Sequence, residues 1–144
     1  MFFVIAAATV LLHPSVVPPA AQLAAAQRAV SFRLLEMPQS VELLHAEVKY
    51  EAGVAAGVVL EYSAEGKLVS ILERPAVGTD SEIQPDAQTQ EFNLDGYEAD
   101  LRTLQRGFQP YAELVWHRPD VSVTLWSYDR VSPPLLVDLA LELR

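Results

Sequence analysis

The sequence predicts an α+β fold, an antiparallel β-sheet of meander hairpins with an N-terminal and a C-terminal helix packed against it. Three observations carry this expectation. Alternating apolar and polar runs flank three turn sequences, Glu65-Gly66, Asp95-Gly96 and Arg118-Pro119-Asp120, which is the pattern of half-buried strands joined by tight turns. An alanine-rich stretch at residues 20–30 follows Pro19, and proline opens a helix without losing a bond because its missing N–H would be unpaired there in any case. The chain closes on Leu135, Leu136, Leu139, Ala140 and Leu143, an apolar stripe at helical spacing.

From the N-terminus, residues 1–12 (MFFVIAAATVLL) are an uninterrupted apolar run, shorter than the ~20 residues a membrane helix needs. No Lys or Arg precedes it, so a signal-peptide core, the remnant of a longer membrane helix and an ordinary buried element all remain open. The prolines at 14, 18 and 19 make residues 13–19 an extended linker. Residues 1–19 are therefore set apart as an apolar segment with a Pro-rich linker, and residues 20–144 as a single domain.

Within that domain the helix at 20–30 leads into residues 31–36 (SFRLLE), expected as a strand, and a break at Met37-Pro38-Gln39-Ser40 precedes a second strand at 41–51. Residues 55–63 and 67–74 form the next hairpin, with Leu60 opposite Ile71 and Tyr62 opposite Val69. Leu68 and Leu72 make its other face apolar too, as in a central strand. Residues 75–88 (PAVGTDSEIQPDAQ) read as a long surface loop. The Asp95-Gly96 dipeptide signals a type I′ hairpin turn that sets Phe92 opposite Ala99 and, less favourably, Glu91 opposite Asp100.

The last hairpin, residues 111–129, organises the rest. Proline at 119 presets the φ that a type I turn wants, so Arg118 faces Val121, Trp116 faces Val123 and Leu114 faces Leu125. Those residues supply one apolar face. The opposite face carries Tyr111, Glu113, Val115, His117, Thr124, Trp126 and Tyr128, too apolar for a fully solvated surface. Tyr111, Trp126 and Tyr128 are the candidate binding face. Covering by one of the two helices is the expectation for these rings, the apolar N-terminus is the other candidate within the chain, and a partner or lipid is implied if none of them reaches.

Nineteen Asp and Glu against ten Lys and Arg, a net charge of −9, repel phosphate backbones and exclude nucleic acid as a partner class. The absence of cysteine excludes disulfides, thiol catalysis and Cys-ligated zinc. No nucleophile elbow, phosphate loop, dinucleotide fingerprint, zinc-protease helix or EF-hand loop occurs, so no enzyme, cofactor or metal assignment is made. His45 and Glu47 share a strand face, but Lys49 comes next on it and a surface pair is expected; His117 is expected at a solvated rim and His13 in the linker. Asp80, Glu82 and Asp86 lie in the long loop at spacings that match no calcium-binding pattern.

A helix running into AAQRAVSFRLLEMP, then VVLEYSAEGKLVSILERP, FNLDGYEA and AELVWHRPDVSVTLWSYDRVSPPLLVDLALEL, resembles an uncharacterised extracytoplasmic domain family. Members follow the membrane helix of some bacterial anti-sigma factors and sporulation-linked proteins, and are similar to outer-membrane lipoprotein-sorting proteins. The likeness rests on Phe32, Pro38, Tyr62, Gly96, Trp116, Ala140 and Leu143, and it brings no catalytic residues. It implies a non-enzymatic extracytoplasmic binding or sensor domain of a bacterial envelope protein, exported or membrane-anchored, with an unknown protein or apolar ligand as partner and a tether through the N-terminal segment. The alternatives are a lipid or lipoprotein carrier with an apolar cavity and a small hydrolase built on an unrecognised carboxylate pair.

Overall fold

The structure, a computed structural model, describes residues 16–76, 88–106, 109–127 and 133–144. Its order of elements is α1 (Pro19–Ala29), β1 (Glu42–Glu51), β2 (Val54–Ala64), β3 (Lys67–Pro75), β4 (Gln88–Leu94), β5 (Tyr97–Arg106), β6 (Gln109–His117), β7 (Val121–Ser127) and α2 (Pro133–Glu142). The strands make one antiparallel sheet of seven, ordered β1-β2-β3-β7-β6-β5-β4. Two meanders, β1 to β3 and β4 to β7, are thus joined along β3 and β7, where Ile71 pairs with Leu125 and Glu73 with Val123. That antiparallel α+β architecture is the one predicted.

Turn chemistry accounts for the hairpins. Ala52-Gly53, Glu65-Gly66 and Asp95-Gly96 each hold two successive residues at positive φ, between 49° and 92°, which is the type I′ conformation whose twist matches that of the strands it joins. Asn93 adds a bond at the third of these turns, its Oδ1 accepting from Gly96 N–H at 2.8 Å. At the last turn Arg118 N–H donates to Val121 O at 2.8 Å. The predicted partners Leu60 with Ile71, Tyr62 with Val69, Phe92 with Ala99 and Trp116 with Val123 are all directly opposite.

The core lies on one face of the sheet. Val58, Leu60, Val69, Ile71, Leu114, Val123 and Leu125 are wholly buried there and form one cluster with Ala26 of α1 and with Leu136, Leu139 and Ala140 of α2. Both helices therefore cover the Trp116 face. Gln22 of α1 also reaches the edge strand, its Oε1 accepting from Ala46 N–H at 2.9 Å, so the helix occupies part of an otherwise open edge.

Residues 31–36 are not a strand. They bend at 31 and 32 and cross the core face with Phe32, Leu34 and Leu35 buried, but no neighbouring strand takes up their backbone groups. Gln27 donates from Nε2 to Phe32 O at 2.8 Å and accepts Leu34 N–H at 2.9 Å; Leu35 N–H goes to Glu73; Met37 N–H reaches the Tyr62 hydroxyl at 3.4 Å. Glu36 and Arg144 exchange main-chain bonds of 3.0 and 3.2 Å, fastening the same segment to the end of the chain. The periodicity of a strand was present, whereas its partner was not.

Gly57 shows how closely β2 and β3 approach beside a register shift in the β1 pairing. A Cβ at Gly57 would stand 2.8 Å from Glu73 O, a backbone atom with little room to retreat. Gly57→Ala should therefore lower stability by ~1–3 kcal/mol, the usual cost of overpacking. Chemical denaturation reads the effect, and an unchanged midpoint would show that β2 and β3 can separate.

Candidate functional site

The face of the sheet opposite the core is built by register. Ser70, Trp126, Glu113 and Arg102 stand side by side across β3, β7, β6 and β5, and Leu72, Thr124, Val115 and Asp100 form the next row. Of these, Ser70, Arg102 and Val115 are buried, although none belongs to the main core cluster. The Arg102 side chain lies between two acids, with Nη2 3.5 Å from Asp100 and Nη1 3.6 Å from Glu113. A guanidinium taken out of water needs such partners, since burying it alone would be very costly.

Trp126 is half-buried beside this group. Its indole Nε1 is out of contact with solvent and has no hydrogen-bond acceptor among the described residues. Buried indole N–H groups are usually bonded, so this is an unfilled requirement on the second face. Neither helix meets it. The expectation that α1 or α2 would cover Trp126 is corrected here, because the Leu136, Leu139 and Ala140 stripe and the Ala26 side chain are committed to the Trp116 face. An amphipathic helix has one apolar face, and the larger apolar surface claims it.

Of the other members of the candidate binding face, Tyr128 and the Tyr111 side chain lie outside the described residues; the Tyr111 backbone pairs with Leu104. Asp80, Glu82, Asp86 and His13 also lie outside them. Lys49 Nζ donates to Glu47 Oε2 at 2.7 Å, and that bond holds the Glu47 carboxyl below its usual range. His45 is half-buried opposite Glu61, and His117 is exposed at the end of β6. Among the described residues no three His, Asp or Glu side chains are placed to hold a metal ion, and no helix is long and apolar enough to cross a membrane.

Two buried charged groups belong to no sequence motif. Arg102 alternates with acids on an otherwise ordinary strand, and nothing short of the β5–β6 register shows that it is buried. Glu73 did carry a signal: it comes after Val69 and Ile71 at a spacing of two and so points into the core. It is wholly buried and accepts Leu35 N–H with both carboxylate oxygens, at 3.1 and 3.0 Å. Burial pushes its carboxyl up to about 8, against the lowering effects of the Leu35 N–H and the Arg118 charge, with Glu36 and Asp120 adding to the rise. A perturbed carboxyl is one requirement for acid–base chemistry, but the bonds Glu73 makes among the described residues are to the Leu35 main-chain N–H, with no second ionisable group bonded to it.

Comparison with family models, with curated proteins and with solved structures finds no match for this chain.

Proposed function

We propose that this chain is a non-enzymatic binding or sensor domain of a bacterial envelope protein, and that it engages its partner through the second face of the sheet, around Trp126. The observation that carries this reading is the half-buried Trp126, whose indole N–H lacks an acceptor among the described residues on the face that both helices leave uncovered. Around it lie Leu72 and Val115, and next to it the Arg102 group with its two acids. Tryptophan and arginine are both enriched at the centres of protein interfaces. The partner in this reading covers the accessible part of the Trp126 ring. The extracytoplasmic setting rests on the sequence resemblance and on the apolar run at residues 1–12.

Capture from a bacterial envelope extract on the immobilised chain tests this reading. Trp126→Ala should abolish specific capture while the chain stays folded by circular dichroism, and Trp126→Phe, which keeps a smaller ring, should weaken it. If Trp126→Ala captures the same proteins as the parent chain, the second face is not the binding surface.

A further inference from the structure

Arg33, Arg118 and Arg144 meet at one open cleft of about 210 Å³, on the core side of the sheet and away from the Trp126 face. They come from the segment that crosses the core, from the β6–β7 turn and from the end of the chain. In a protein with ten Lys and Arg against nineteen Asp and Glu, three arginines at one cleft reverse the prevailing charge. Among the described residues that line the cleft, the single acid is Asp120. No ion pair formed among the described residues uses any of the three arginines.

Their roles differ. Arg144 donates from Nη1 to Leu141 O at 2.8 Å and to Leu143 O at 3.1 Å, so it mainly closes the end of α2 and contributes its charge. The Arg118 guanidinium lies over the Tyr97 ring, 5.0 Å from its centroid. Stacking of this kind fixes the plane of the group and leaves its N–H edges for acceptors lying in that plane. Arg33 is exposed and its side chain makes no bond among the described residues. The floor between them is apolar, formed by the buried Leu35 and Val121.

We propose that this cleft binds a carboxylate carried on a small apolar or aromatic group, with Arg33 and Arg118 bonding the carboxylate and Leu35 and the free edge of Tyr97 lying against the remainder. A planar guanidinium fork matches the two oxygens of a carboxylate. The apolar floor selects an organic acid over inorganic phosphate, which has no surface to set against it. The volume corresponds to roughly seven waters at ~30 Å³ each, enough for one aromatic ring with a short acid arm.

Calorimetric titration of the full chain with phenylacetate, with inorganic phosphate as competitor, tests the assignment. Saturable phenylacetate binding is expected, weakening with added salt and little affected by equimolar phosphate. Arg33→Gln should reduce the affinity about tenfold, the loss of one charge-assisted hydrogen bond, and should leave the thermal midpoint of the ligand-free chain unchanged. Arg118→Gln should reduce it at least as much. Because Arg33 is exposed and carries no structural bond among the described residues, its variant decides the matter even if loss of the Tyr97 stack unfolds the other. The proposal is overturned by an absence of saturable binding, by equal affinity in Arg33→Gln, or by phosphate displacing phenylacetate at equal concentration.

Discussion

Raising the pH from about 5 to about 9 should lower the stability of this chain by a few kcal/mol, and Glu73 should be the cause. In the unfolded chain this carboxyl ionises near its ordinary value of 4.5, whereas in the folded state burial keeps the proton on until about 8. Between those values the folded chain binds more protons than the unfolded one, so stability falls as pH rises. The contribution is fully present below the unfolded value, is lost progressively through the window and is gone above the folded value. Arg118 opposes the shift, while Glu36 and Asp120 add to it. Urea denaturation across the window reads the slope. Glu73→Gln keeps an oxygen to accept Leu35 N–H and removes the titration, so its stability should be flat over the same range and exceed the parent's at pH about 9. Glu73→Leu also abolishes the slope but strands the Leu35 N–H, and should cost ~1–3 kcal/mol relative to Gln at any pH. A parent profile with no decline, or the same decline in the Gln variant, would remove Glu73 from this role.

The second large effect separates the two tryptophans. Trp116→Ala should destabilise the chain by ~3–5 kcal/mol, the range for deleting a buried aromatic ring from a packed core. Trp116 is 3% exposed, sits between Ala99 and Val123 on neighbouring strands, and belongs to the cluster that includes α2. Trp126→Ala removes a half-buried ring outside that cluster and should cost less, ~1–2 kcal/mol by the area it covers. Equilibrium denaturation of both variants checks the order. Equal losses would mean that Trp126 is as much a part of the core as Trp116, and the binding role assigned to the second face would lose its basis.

The hairpins were readable in the sequence because their determinants are local. Glu65-Gly66 and Asp95-Gly96 adopt positive φ cheaply, Pro119 presets the last turn, and period-two alternation then fixes which residues face one another. Both helices were readable for the same reason, through Pro19 at one start and the leucine stripe at the end. The strand expected at residues 31–36 failed because alternation reports burial on one side and says nothing about who supplies the backbone partner. Here the Gln27 and Glu73 side chains and the Arg144 main chain do so from elsewhere in the chain.

Three matters were decided only in three dimensions. The joining of the meanders along β3 and β7 depends on pairing between residues about fifty apart in sequence, which no local pattern encodes. The side to which the helices pack was set by competition between two apolar faces, won by the larger, and this left Trp126 without a helical cover. The gathering of Arg33, Arg118 and Arg144 at one cleft brings together side chains that are ordinary singly. Sequence determined the pieces because turn and strand preferences act over a few residues; only the packed structure set their neighbours, because charge and burial depend on surroundings that the chain order does not contain.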